Sequence, residues 1–105
     1  MATETAYIGE ELKYKVVITS QGFSMADDDF SAVAVCGSRK VTYRKQDFLL
    51  DQEGNYYLAI DTTQFRKGEL CLVTYAYVPD SDFPDGLRTE VDKQRLVTLL
   101  DPLKK

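Results

Sequence analysis

Residues 69–78 read ELCLVTYAYV, a run dominated by valine, tyrosine and leucine with no proline or glycine to interrupt an extended backbone. β-branched and aromatic side chains are stiff at χ1 and fit a pleated surface better than a helix. A strand of that length must be buried among neighbours, and the rest of the chain offers them. LKYKVVIT (12–19) sets Leu12, Tyr14, Val16 and Ile18 on one side against Lys13, Lys15, Val17 and Thr19 on the other. That is the period-2 mark of a half-buried strand with its even face inward. FSAVAVC (30–36) is apolar on both parities, the pattern of a central strand covered on both faces. VTYR (41–44), the short DFLL (47–50), YYLAID (56–61) and LRTEVDKQRLVTLL (87–100) complete the series. Nowhere does an apolar period of 3.6 residues persist for three helical turns.

Turn residues separate these runs. DQEGN (51–55) carries Gly54-Asn55, residues that tolerate positive φ, and reads as a hairpin connection. TTQFRKG (62–68) reads as one helical turn or a loop with Phe65 tucked beneath it. Six or seven strands spaced by roughly 8–12 residues predict an all-β sandwich or barrel. At 105 residues the chain makes one domain, residues 1–105, with an ordered core over about 7–101. A domain of this size buries roughly two-thirds of the surface its unfolded chain exposes, enough for a core without metal or disulfide staples.

The acidic stretch PDSDFPDG (79–86) lies between two of the most apolar parts of the chain. Asp80, Asp82 and Asp85 are its candidate metal ligands, joined by Asp27, Asp28 and Asp29 if the two loops share an end of the domain. An EF-hand calcium loop spaces its acids D-x-D-x-D-G between helices. Here the third acid is displaced by one residue and the flanks are strands. The turn reading explains the same letters: Pro79 and Pro84 stop the sheet ladder, the carboxylates cap nearby amides, Gly86 takes positive φ, and Phe83 folds back as an apolar anchor.

The sequence contains no histidine, which removes the commonest general base, the Ser-His and Cys-His pairs and most zinc sites. No phosphate-cradling glycine loop is present, so neither an enzyme nor a cofactor is expected. The net charge is −4, and the thirteen Lys and Arg are scattered rather than gathered into a phosphate-binding stripe, which argues against nucleic acid. No apolar run approaches the roughly 20 residues of a membrane-spanning helix, and the start lacks the features of an export signal. The expected location is therefore cytoplasmic synthesis, and Cys36 and Cys71 are expected as reduced core residues.

Two surface features could carry recognition. Tyr57, Tyr75 and Tyr77 share a parity on strands that could be neighbours, and together they would make a flat aromatic patch for a sugar or a protein. The charged first half of the last strand, with Arg88 and Glu90 foremost and Asp92, Lys93 and Arg95 following, reads as a solvated edge or as the place where subunits dock with charges setting the register.

The order of DDDFSAVAVCG, DQEGNYYLAIDT, KGEL and GLRTEV (Asp27 to Gly37, Asp51 to Thr62, Lys67 to Leu70, Gly86 to Val91) resembles the small immunoglobulin-like domains of phage and prophage structural proteins of Bacteroides-type bacteria. In layout it is similar to the N-terminal module of phage baseplate upper proteins, over roughly residues 12–100. The resemblance implies an immunoglobulin-like β-sandwich of mostly antiparallel strands and a non-enzymatic tail or baseplate-type component, incorporated into a phage particle, whose partners are other virion proteins or further copies of itself. It carries over no active residue. The antibody hallmarks are missing, since there is no tryptophan and Glu69 rather than tyrosine stands two residues before Cys71. The alternative from another class is a carbohydrate- or calcium-binding module of a bacterial surface system.

Overall fold

The computed structural model describes residues 4–103. Eight strands form two sheets: β1 (Thr5–Tyr7), β2 (Glu11–Val16), β3 (Phe30–Cys36), β4 (Arg39–Arg44), β5 (Leu49–Leu50), β6 (Tyr56–Asp61), β7 (Gly68–Pro79) and β8 (Leu87–Leu100). The count exceeds the six or seven expected, because three residues at the start form a strand that has too little sequence to show a period. One sheet has the order β1-β8-β7-β3-β4 and the other β2-β6-β5. All pairings are antiparallel except that of β1 with β8. Single 3₁₀ turns lie at Lys45–Asp47 and Thr62–Gln64. Among the described residues no helix is long and apolar enough to cross a membrane.

The period-2 phases decide which side chains enter the core. β3 buries Phe30, Ala32, Ala34 and Cys36, β7 buries Leu70, Leu72, Ala76 and Val78, and β6 buries Tyr56, Leu58 and Ile60. The inner faces of the two sheets meet in one apolar cluster to which β1, β2 and β8 add Ala6, Val16, Leu96, Val97 and Leu99. Phe30 is its pivot. Its ring meets Phe48 edge-on at 5.1 Å and Tyr56 edge-on at 5.2 Å, the geometry the aromatic quadrupole favours. Phe65 is buried under the turn after β6, as its position in the sequence implies.

β3 departs from expectation. Its even residues are buried, whereas Ser31, Val33 and Val35 are only half-buried, because among the described residues no further sheet packs on the outer face of the larger one. Apolar letters on both parities therefore mark an exposed apolar face here, not a second covered one.

The chain changes sheets between β1 and β2. Gly9 takes φ 114°, a value open to glycine, and its N–H donates to Thr62 Oγ1 at 2.8 Å. The same hydroxyl donates to the Glu10 carbonyl at 2.6 Å. Thr62, fully buried, thereby satisfies both polar groups of the crossover. Near the residues that pair with β1, β8 contains a bulge. Cys71 lies opposite Arg95 and Leu70 opposite Val97, leaving Leu96 as the extra residue, and both Leu96 and Val97 turn inward. An extra residue bends and twists a strand. Beyond the bulge β8 packs into the core; before it, from Leu87 to Arg95, the strand is mostly exposed.

Candidate interaction surface

The acidic turn is held by its own carboxylates. Asp80 N donates to the Gly86 carbonyl and Gly86 N to that of Phe83, closing the connection between β7 and β8. Asp80 Oδ1 accepts from Asp82 N, Asp85 Oδ1 accepts from Leu87 N, and Gly86 sits at φ 75°. Arg88 pairs with Asp80 at 2.5 Å and with Glu90 at 2.9 Å, and Glu90 also accepts from the Ser20 hydroxyl. The Asp82 amide and the Arg88 guanidinium hold the Asp80 carboxyl below its ordinary pKa; the Ser20 hydroxyl and Arg88 do the same for Glu90. Among the described residues no three Asp, Glu or Cys side chains are placed to share one ion. Phe83 stands 44% exposed, so it does not anchor the turn as expected. The turn keeps its shape through side-chain-to-backbone bonds instead.

Asp27, Asp28 and Asp29 do share this end of the domain, lining with Arg44, Tyr77 and Leu87 an open depression of about 620 Å³. Lys45 Nζ donates to the carbonyls of Ala26 and Asp28, and Asp28 Oδ2 accepts from Ser24 N. Backbone bonding thus occupies much of this loop.

The three tyrosines are not brought together. β6 and β7 belong to different sheets, so Tyr57 lies on the outside of the smaller sheet while Tyr75 and Tyr77 lie on the outside of the larger one. Tyr57 is covered there by Lys13, whose ammonium sits 4.9 Å from the ring centre. Tyr77 shares a hydrogen bond of 3.0 Å with Ser31.

The register of the larger sheet assembles a different surface around Tyr75 and Tyr77. One row across it reads Arg44, Ser31, Tyr75, Val91; the next reads Thr42, Val33, Val73, Lys93; the next Lys40, Val35, Cys71, Arg95. An apolar centre of Val33, Val35, Val73, Tyr75 and Val91 is therefore flanked by Lys40, Arg44, Lys93 and Arg95, the last paired with Glu69 at 2.9 Å. Val91 is 59% exposed and Leu87 41%. Sequence reasoning missed Val33, Val35 and Val91 because it assigned the first two to a core and treated the third as part of a charged run. No signal in the sequence joined them to Tyr75, because parities on different strands become comparable only when the register between the strands is known.

Beside this face lies an open edge. β1 covers β8 only at Thr98–Leu100, so among the described residues no strand lies beside Leu87–Asp92. Compared with known proteins, the chain matches no family model, no curated protein and no solved structure.

Proposed function

We propose that this chain is an immunoglobulin-like interaction module, a non-enzymatic building block of a phage or prophage tail or baseplate-type assembly. It works by presenting the outer face of the larger sheet and the β8 edge to protein partners. The strand order supports the immunoglobulin-like part. β2-β6-β5 corresponds to strands B, E and D of that architecture, β3-β7-β8 to C, F and G, and β4 to the added C′. The assembly part draws on the sequence resemblance alone.

The observation that carries the interaction reading is the apolar centre of the β3-β7-β8 face with four cations around it, on a chain whose net charge is −4. An aromatic and aliphatic patch with a charged rim is the anatomy of a protein-binding surface. The rim selects a partner with an acidic border around an apolar patch. The depression lined by Asp27, Asp28, Asp29 and Tyr77 favours the second reading, a carbohydrate or calcium ligand held by carboxylates and a ring.

Two-dimensional NMR separates the two. Calcium and a panel of saccharides are expected to leave Asp27 to Asp29, Tyr77, Asp80, Asp82 and Asp85 unshifted. A saturable shift at those residues would replace the interaction reading with the ligand-binding one. The assembly part is tested by the neighbouring genes, which are expected to encode tail or baseplate proteins; a neighbourhood without virion genes would remove it.

A further inference from the structure

Resting on the reading of the chain as an interaction module, we infer that one of its partners is a second copy of itself, joined by antiparallel pairing of β8 with β8 about a two-fold axis at Thr89. The open segment Leu87-Arg88-Thr89-Glu90-Val91 presents an unpaired strand edge, and such an edge is a template for another strand. Most natural edges carry charges that oppose pairing with a second copy. Here Arg88 and Glu90, two residues apart on one face, carry opposite signs, and that makes the strand complementary to itself in one register.

On β8 the odd residues face outward and the even ones toward the loop that follows β2, so a two-fold pairing must match odd with odd and even with even. With Thr89 opposite Thr89 of the second copy, Arg88 faces Glu90, Glu90 faces Arg88, and Leu87 and Val91 face each other on the outer side. Each neighbouring centre brings like charges together: Arg88 on Arg88, Glu90 on Glu90, Glu90 on Asp92 when Val91 is central, Asp92 on Asp92, and Lys93 on Lys93. Like charges directly opposite across a strand pair are destabilising, whereas opposite charges and apolar pairs stabilise it. Among centres from Arg88 to Lys93 the sequence of the edge thus favours Thr89 alone.

Arg88 and Glu90 are already held, by Asp80, by the Ser20 hydroxyl and by one another at 2.9 Å. Their side chains are therefore ordered before a partner arrives, which lowers the entropy lost on pairing. The two larger sheets would join into one continuous sheet, and their apolar faces, each with Tyr75 beside Val91, would become one surface.

Cysteines placed in the edge of the full chain read the register directly. The native thiols are buried, on β3 and β7, and give the background. Under mild oxidation Thr89→Cys is expected to form a covalent dimer of twice 11.9 kDa. Lys93→Cys, whose thiol lies eight residues along the strand from its copy in this register, is expected to stay at the wild-type background. Equal cross-linking of both variants, or none by Thr89→Cys, overturns the inference. Sedimentation equilibrium of the unmodified chain, expected to show its mass rising with concentration, guards against a misfolded variant; Glu90→Arg is expected to weaken that association about tenfold. A monomer at every concentration also overturns the inference and leaves the module reading standing, because that reading is tested by the calcium and saccharide spectra.

Discussion

Thr62 holds the crossover between the sheets with one hydroxyl. It accepts from Gly9 N and donates to the Glu10 carbonyl, and no part of it reaches water. Thr62→Val keeps the shape and strands both backbone groups, an expected cost of about 1–3 kcal/mol in urea unfolding; Thr62→Ser, which keeps the hydroxyl, is expected to lose less. The carboxylates predict a pH response. Asn55 N bonds to Asp51, the Thr63 hydroxyl to Asp61, Asp82 N and Arg88 to Asp80, and the Ser20 hydroxyl and Arg88 to Glu90, and all four acids are held below their ordinary values. A depressed folded-state pKa stabilises above the unfolded value and is lost as pH falls through the folded one. Stability is therefore expected to be flat near neutrality and to decline below about pH 4.5. Urea midpoints from pH 7 to 3 check this, and Asp80→Asn is expected to flatten part of the decline. An unchanged slope in that variant would show that the Arg88 pair contributes nothing.

At the scale of strands, the inward phase of β2 was legible in the sequence because period 2 leaves little choice when one face is wet, whereas β7, apolar on both parities, left its phase open. The hairpin at Asp51–Asn55 was legible too, since Gly54 sits at φ 87° and Asp51 N donates to the Asn55 carbonyl. β1 was not, because it exists through non-local bonds such as Ile8 N to the Leu100 carbonyl. Which strands share a sheet was also hidden, and that alone separated Tyr57 from Tyr75 and Tyr77. The same sheet assignment decides the thiols. β3 and β7 are adjacent, yet Cys36 points into the core and Cys71 to the outer face, so the strand lies between the two sulfurs. Burial raises the pKa of both. Two free thiols are expected by alkylation after unfolding without reductant; a mass lower by two hydrogens would contradict the register. Phe30 tests the packing of β3 against the smaller sheet. Phe30→Ala removes both edge-on contacts at the centre of the core and is expected to cost about 3–5 kcal/mol in unfolding free energy. That is several times what an exposed ion pair such as Arg95–Glu69 contributes.

At the scale of the molecule, two sheets of unequal width enclose one core, and the wider sheet extends past it. The described chain measures 54 × 31 × 27 Å, longer than a sphere of this many residues, because β7 and the exposed half of β8 run on toward the acidic turn. That extension gives β8 a free edge beside the apolar face, and the bulge at Leu96 marks where the edge begins. The charged first half and apolar second half of the last strand announced this division in the sequence; the self-complementary register needed the pairing with β7 to fix which residues face outward. The most direct measurement is amide hydrogen exchange of the unmodified chain at low micromolar and near-millimolar concentration. Slower exchange at high concentration in Leu87–Val91, with the β2 and β5 edges unchanged, is the result this account predicts. Exchange in Leu87–Val91 that does not depend on concentration would contradict it.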